Sequence, residues 1–344
     1  MRNLILALGL TLCGVGSAQG FAIEEDAGFA AFDTEVEQLR VLSTTDTQIM
    51  APVIAGFQAA NPGVSVHYTV ANSQQVQAAI MAEGAAYDLV ISSAMDLQMQ
   101  LANDGFALPW QSAQTTALPG WARWQDTLFA FAQEPVVLIA ARSAFDGLSP
   151  PRTRRELTAL LRDNPERFQG RIGTYDPARS GAGYLFATQD ARLSETFWRL
   201  AEVMGGLDPV LYDSTVLMIN DLKERRLVMA YNVLGSYAAP LLADDDTTML
   251  IELEDHTLTL LRTGLIPRTA TSPRLGGAFL DYLLGPEGRT LIAQKAGLPP
   301  IDEAALAAKP HLRPIRLDPG LLVYLDALKR RDFLEEWDAA LIQP

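Results

Sequence analysis

The chain has 344 residues, which is enough for two domains of about 100–200 residues each. Hydrophobic residues make up 49% and charged residues 20%, a balance that is ordinary for a globular protein and excludes a disordered one. There are 27 Lys and Arg against 41 Asp and Glu, so the net charge is −14. This charge argues against nucleic-acid or anionic-membrane partners, because either would require a basic surface.

Residues 1–18 have the pattern of a cleavable export signal. Arg2 gives a short basic start, residues 4–12 are uncharged, and Gly16 and Ala18 occupy the −3 and −1 positions of a cut after Ala18. The apolar run is shorter than the about 20 residues of a membrane-spanning helix, and an N-terminal membrane anchor is the alternative. We therefore predict a periplasmic protein.

Cys13 is the only cysteine and lies within this signal. Lipid attachment at Cys13 is an alternative, although Leu12 stands before it where a small residue is expected. Cleavage after Ala18 leaves no thiol, so we expect no disulfide and no thiolate chemistry.

Catalytic motifs are missing from the sequence. It contains no Gly-x-Ser-x-Gly, no His-Glu-x-x-His and no Walker loop, and it has only three histidines. We predict that the protein is not an enzyme and binds no cofactor.

Strand and helix patterns alternate along the first half of the chain, after an acidic polar leader at 19–37 that we expect to be poorly ordered. The predicted strands are 39–43, 64–70 and 87–92, and the helices that follow them are 49–60, 72–81 and 95–103. This order is typical of an α/β fold with a parallel sheet and helices on both faces.

Each of these strands ends in a small polar loop. Ligands of open α/β sheets bind outside the carboxyl ends of the strands, so we expect the polar side chains there to line a shared cleft. They are Thr44, Thr45, Asn72, Ser73, Ser92 and Ser93. The alternative for each single residue is a helix cap.

A second α/β unit follows, with strands predicted at 136–141, 171–175 and 226–231. The loop that follows the second of these strands and leads into a helix contains Arg179, Ser180 and Gly181. A cation, a hydroxyl and a glycine at a helix start suit an anionic ligand, and the alternative is a structural loop with Arg179 in water. Tyr231 and Asn232 could complete this wall, or could be a core tyrosine and a cap.

The rest of the chain is extended at 258–268 and then mostly helical. The order of these motifs resembles the periplasmic solute-binding proteins of bacterial ABC transporters, and their ferric-iron branch in particular. The resemblance runs from about residue 38 to the C-terminus. The segments that carry it are Ser43-Thr44-Thr45-Asp46, Phe57 before Asn61-Pro62-Gly63, Tyr87-Asp88-Leu89-Val90, residues 176–184, and Gly285-Pro286-Glu287-Gly288.

The resemblance implies a type II periplasmic binding protein fold, in which two strands form a hinge between two lobes and the first lobe is discontinuous. Lobe 1 would comprise 38–138 and 265–344, and lobe 2 would comprise 139–264. The hinge crossovers would lie near 134–142 and 257–264. A monomer would close over a small solute and deliver it to a membrane permease.

The sequence departs from the ferric-iron branch at one place. Iron-binding members use adjacent tyrosines, because phenolate oxygens suit a hard cation, whereas the matching segment here, Met229-Ala230-Tyr231-Asn232, has one tyrosine. We therefore predict no metal site and a small anionic organic ligand. Ferric-iron binding remains an alternative, as does an accessory role in which the protein senses ligand for a two-component kinase.

Overall fold

The computed structural model of the chain describes residues 20–342. The expected signal at 1–18, with Cys13 and Ala18, lies outside these residues. None of the helices described is long and apolar enough to cross a membrane.

The described part of the chain alternates strands with helices. The strands are β1 Glu25–Phe29, β2 Glu37–Ser43, β3 Val64–Val70, β4 Leu89–Ser92, β5 Ala107–Leu108, β6 Arg123–Trp124, β7 Leu128–Ala141, β8 Ile172–Tyr175, β9 Val210–Tyr212, β10 Met229–Leu234, β11 Thr248–Ile251, β12 Thr257–Pro267 and β13 Leu312–Pro314. The α-helices are α1 Thr47–Ala60, α2 Ser73–Met81, α3 Met95–Asn103, α4 Ala113–Thr116, α5 Arg154–Asp163, α6 Pro165–Phe168, α7 Gly181–Leu193, α8 Phe197–Gly205, α9 Thr215–Lys223, α10 Gly235–Leu241, α11 Pro273–Leu284, α12 Pro286–Gln294, α13 Glu303–Ala308 and α14 Ala327–Leu341.

The strand order is β1-β3-β2-β4-β12-β7-β10-β8-β9. On one side β2 runs parallel to β3 and β4, and on the other β8 runs parallel to β9 and β10. These two parallel sets are the sheets of lobe 1 and lobe 2. The predicted two-lobed α/β organisation is confirmed.

The lobes are joined by β7 and β12, which pair antiparallel from Thr259 opposite Pro135 to Gly264 opposite Phe129. Strand β12 also pairs with β4 of lobe 1, and β7 also pairs with β10 of lobe 2. Strand β7 begins at Leu128, well before the predicted start at 136. The polar pair Gln133-Glu134 interrupts the apolar pattern of β7. The first half of this strand was therefore not predicted from the sequence.

Several helix boundaries follow directly from local signals. Helix α2 begins at the predicted cap, where the Asn72 side-chain oxygen accepts hydrogen bonds from the N–H groups of Gln74 and Gln75 at 3.1 and 3.0 Å. Such a cap satisfies N–H groups that have no partner within the helix. Helix α3 likewise spans the predicted 95–103.

The polar leader is ordered, contrary to the expectation from its composition. Strand β1 pairs antiparallel with β3, with Glu25 opposite Val70 and Phe29 opposite Val66. One of its acids, Asp26, is matched by a β3 side chain and accepts a hydrogen bond from the Thr69 hydroxyl at 2.9 Å. The edge of β3 provides hydrogen-bond partners for the backbone of β1, and composition alone does not reveal such partners.

Helix α14 packs on lobe 2, which departs from the assignment of all of 265–344 to lobe 1. Its Phe333 and Trp337 rings lie 6.5 and 6.2 Å from the ring of Phe197 in α8, within the core of lobe 2. These residues lie on one helical face. The apolar face of α14 can be predicted from the sequence, but the lobe against which it packs cannot.

Asp96, in the first turn of α3, is a buried carboxyl with only 3% of its surface exposed. Its Oδ1 has no hydrogen-bond partner within residues 20–342. Burial raises the pKa of Asp96 to about 7. Because an unfolded Asp has a pKa of about 3.9, ionisation of Asp96 opposes folding. The cost is absent below about pH 4, grows as the pH rises, and is complete above about pH 7.

We therefore expect Asp96→Asn to stabilise the protein at alkaline pH. The free energy of unfolding should rise by about 2–4 kcal/mol at pH 8 and by little at pH 4, because only the ionised carboxyl is penalised. Urea unfolding at both pH values measures this. The exposed Asp104, at the opposite end of the same helix, serves as control, and Asp104→Asn should change stability by about 0.5 kcal/mol or less. Equal effects of Asp96→Asn at the two pH values would contradict the prediction.

Candidate functional site

A cavity of about 250 Å³ lies between the two lobes, at the carboxyl ends of their parallel strands. Six of the predicted site residues line it: Thr44, Asn72, Ser73, Ser93, Arg179 and Ser180. The structure thus brings together polar loops from four separate chain segments. Further residues line the cavity that the sequence did not point to. They include Glu24, Asp46, Tyr175, Asp213, Ser214, Thr215, Tyr237 and Arg262.

Thr45 and Ser92 lie behind the cavity wall and do not line it. The Thr45 hydroxyl accepts a hydrogen bond from the Arg262 guanidinium, and the Ser92 hydroxyl accepts one from the Ala94 N–H at 3.1 Å. Both side chains are almost fully buried. Successive residues at a strand end point to opposite sides, so Thr44 and Ser93 reach the cavity while their neighbours Thr45 and Ser92 do not.

Gly181 contributes to contact between the lobes and is not part of the cavity lining. A Cβ at this position would overlap the hydroxyl of Ser73 and come within 3.4 Å of the Ala94 side chain. Glycine thus allows the start of α7 in lobe 2 to approach the starts of α2 and α3 in lobe 1. Close by, Gln74 Nε2 lies 3.4 Å from the carbonyl of Ala178.

Tyr231 and Asn232 belong to the interior of lobe 2 and do not line the cavity between the lobes. Asn232 has a φ of 61° at an irregularity in the pairing of β10 with β7. Asparagine tolerates this left-handed conformation. Both side chains bond to Asp190, the Tyr231 hydroxyl at 2.8 Å and the Asn232 amide at 3.0 Å.

Asp190 is the centre of this buried cluster. Its carboxylate also accepts a hydrogen bond from Arg154 Nη2 at 2.8 Å and lies 2.9 Å from His256 Nε2. Burial alone would raise the pKa of Asp190, but the Arg154 charge and the bonds from His256 and Asn232 hold the pKa below its ordinary value. The cluster is a buried network of paired polar groups within lobe 2, and its role is structural.

Several helices start at the cavity. Asp46, Asn72 with Ser73, Ser93, Ser180 and Ser214 stand at or next to the first residues of α1, α2, α3, α7 and α9, each at least nine residues long. The helix dipole makes such starts favourable for negative charge, even where side chains such as Asn72 and Ser180 already accept hydrogen bonds from some of the N–H groups. Their convergence gives the cavity a partly positive polar lining.

Arg262, on crossover strand β12, is the most deeply buried charged residue of the cavity, with 1% of its surface exposed. Its Nε donates to Glu134 of β7 at 2.8 Å, and its Nη1 donates to Thr45. The remaining nitrogen, Nη2, has no hydrogen-bond partner among residues 20–342. The sequence offered one sign of the pair formed by Glu134 and Arg262: each is a single charged residue within an otherwise uncharged crossover strand.

Arg179 lies at the exposed rim of the cavity. Its guanidinium pairs with Asp213 at 2.8 Å, and the two side chains are 62% and 45% exposed. An exposed ion pair of this kind is screened by solvent and contributes little. The charge of Arg179 is therefore already paired and screened by solvent.

Two acidic side chains complete the lining. Burial and the nearby carboxylates of Asp46, Asp213 and Glu25 raise the pKa of Glu24. Burial and the Glu25 carboxylate raise the pKa of Asp46, against the attraction of Arg262.

The donor set at the cavity bears on the ferric-iron alternative. No group of three or more His, Cys, Asp or Glu in the described part of the chain is arranged to hold a metal ion. Tyr175 and Tyr237 line the cavity from separate elements, β8 and α10, and are not neighbours in the sequence. Burial raises the pKa of Tyr237 to about 12, which disfavours the phenolate form.

Comparison with known proteins agrees with this architecture. A family model described as "Bacterial extracellular solute-binding protein" matches residues 39–298. The substrate-binding protein of an ABC transporter from Agrobacterium tumefaciens is 33% identical, with a TM-score of 0.87 over 92% of this chain and 98% of its own. A comparison with curated proteins finds no match.

More distant structures share the fold. Iron-bound HitA from Pseudomonas aeruginosa is 16% identical, with a TM-score of 0.70 over 89% of this chain and 99% of its own. AfuA from Actinobacillus pleuropneumoniae, solved with fructose-6-phosphate, is 15% identical, with a TM-score of 0.71 over 90% and 99%. The family and the fold are those of substrate-binding proteins and not of enzymes. The chain, with its two lobes and the cavity between them, belongs to the bacterial extracellular solute-binding proteins of ABC transporters.

Proposed function

We propose that the protein binds a small organic solute with an anionic group in the cavity between the lobes and delivers it to an importer in the bacterial membrane. The observation that carries the proposal is Arg262, a buried cavity residue whose Nη2 has no partner within residues 20–342. A buried donor without a hydrogen bond costs about 1–3 kcal/mol. An anionic oxygen of the ligand would recover this cost.

The helix starts around the cavity support an anion independently of Arg262. Ser73, Ser180 and Thr215 belong to three of these starts and lie in both lobes. Each start contributes about 0.3–1 kcal/mol toward an anion when exposed, and more when buried. The cavity volume of about 250 Å³ is below the about 300–1,000 Å³ of drug-sized sites, so the solute is small.

The lobes close over the ligand by rotating about β7 and β12, near 134–142 and 257–264. This part of the proposal rests on the crossovers, two paired strands that connect lobes with separate sheets. Such strands can absorb a rotation without disturbing either core. Gly181 supports a closed form because its missing side chain lets α7 reach Ser73.

The test uses the chain from residue 19 onward in two measurements. A thermal-shift screen against phosphate esters, carboxylates, neutral sugars and ferric iron should show stabilisation by an organic anion, because a ligand that binds only the folded state raises Tm. Small-angle scattering with that anion should then give a smaller radius of gyration. Stabilisation by neutral sugars or iron alone would contradict the anion, and an unchanged radius would contradict the closure.

A further inference from the structure

The cavity carries two kinds of charge. Arg262 and the helix starts provide its positive part, and Glu24 and Asp46 line the same cavity as carboxylates. Glu24 is the residue before β1 and Asp46 is the residue before α1, so the two acids belong to lobe 1. A ligand that fills the cavity meets both parts.

The two cations of the cavity are already paired with other acids. Arg262 bonds to Glu134 at 2.8 Å, and Arg179 bonds to Asp213 at 2.8 Å. Glu24 and Asp46 are therefore surplus negative charge, although Arg262 attracts Asp46 in part.

The surroundings of these two acids favour a positive group. The largest influences on the Glu24 carboxyl are burial and repulsion from Asp46, Asp213 and Glu25, which raise its pKa. A purely anionic ligand would add to this repulsion. A ligand ammonium group would relieve it and form charge-assisted hydrogen bonds.

We infer that the ligand is a small zwitterion, whose anionic group contacts Arg262 and whose ammonium group contacts Glu24 and Asp46. This inference rests on the proposed function, because it assigns the second end of the same anion. Arg262, 1% exposed and with an unpartnered Nη2 among the described residues, is the independent sign that the cavity holds a ligand. The small volume requires the two charges to lie only a few atoms apart.

The experiment uses two matched sets of compounds and the chain from residue 19 onward. One set is ethyl phosphate, 2-hydroxyethyl phosphate and 2-aminoethyl phosphate, and the other is propanoate, 3-hydroxypropanoate and 3-aminopropanoate. Within the set that binds, calorimetry at pH 7 should show that the amino compound binds about tenfold or more tightly than the unsubstituted one. This is the gain in affinity expected from one charge-assisted hydrogen bond.

Variants locate the effect. Glu24→Gln and Asp46→Asn should each reduce the advantage of the amino compound by about fivefold or more, because each removes one negative charge that faces the ammonium group. Glu83→Gln, at an exposed position after α2, is the matched control and should leave the advantage unchanged. Thermal unfolding of each variant verifies that it is folded.

The outcomes separate the two proposals. If the unsubstituted or hydroxyl compound binds as tightly as the amino compound, the zwitterion is excluded while the anion site stands. If the amino compound is preferred but both variants keep that preference, the ammonium group does not lie at Glu24 and Asp46 and the inference is wrong. If no compound of either set binds, the proposed function fails and the inference fails with it.

Discussion

The double variant Arg262→Gln with Glu134→Gln is expected to lose about 100-fold in ligand affinity while remaining folded. Arg262 is the buried cation of the cavity, and a charge-assisted hydrogen bond to an anion is worth about 1.5–3 kcal/mol. Both partners are changed because Arg262→Ala alone would leave Glu134, which is 0% exposed, as an unpaired buried charge. That single change would cost about 3–5 kcal/mol in stability and confuse unfolding with lost binding.

Calorimetry with the anion identified by the thermal-shift screen measures this loss. Arg179→Ala provides the comparison within the cavity, and we expect at most about a fivefold loss, because its charge is paired and solvent-exposed. Arg331→Ala, at an exposed ion pair of α14, should leave the affinity unchanged. A larger loss from Arg179→Ala than from the double variant would move the anion contact to the cavity rim and refute the role of Arg262.

The second large effect concerns stability. Asp190→Ala should lower the free energy of unfolding by about 3–5 kcal/mol, because it leaves the Arg154 guanidinium, 2% exposed, without its buried partner. His256, Tyr231 and Asn232 lose their shared partner in the same step. Ligand affinity should be kept at temperatures where the variant is folded, since none of these residues lines the cavity between the lobes.

The pH dependence gives a further check on Asp190. Its folded-state pKa lies below the unfolded value, so the stabilisation from its charge is complete above the unfolded pKa of about 3.9 and is lost as the pH falls through the folded pKa. Urea unfolding at about pH 7 and pH 3 should therefore show a smaller difference between wild type and Asp190→Asn at the lower pH. Asp163→Ala, at an exposed pair with Arg162, is the control and should change stability by about 0.5 kcal/mol or less. A cost of Asp190→Ala no greater than that of the control would contradict the structural role of the cluster.

The sequence alone determined the alternation of strands and helices in lobe 1 and the polar loops at the strand ends. Strand β3 and helices α2 and α3 lie at the predicted residues. These features depend on neighbours within a few positions: the period of apolar residues, and a cap such as Asn72. A glycine beside Ser180 was likewise visible, although its purpose, contact with lobe 1, was not.

Only the tertiary structure decided which polar residues meet the ligand. Thr44 and Ser93 face the cavity while their neighbours Thr45 and Ser92 do not, because the direction of a side chain at a strand end depends on the orientation of the whole sheet. The bulge in β10 turned Asn232 toward Asp190, 42 positions earlier in the chain.

The central pair of the cavity shows the same limit at longer range. Arg262 and Glu134 are 128 positions apart and meet only because β7 and β12 pair with one another between the lobes. Each appeared in the sequence as a single charge within an apolar strand. Their partnership depends on strand register, which is set by packing across the whole sheet and by no local pattern of residues.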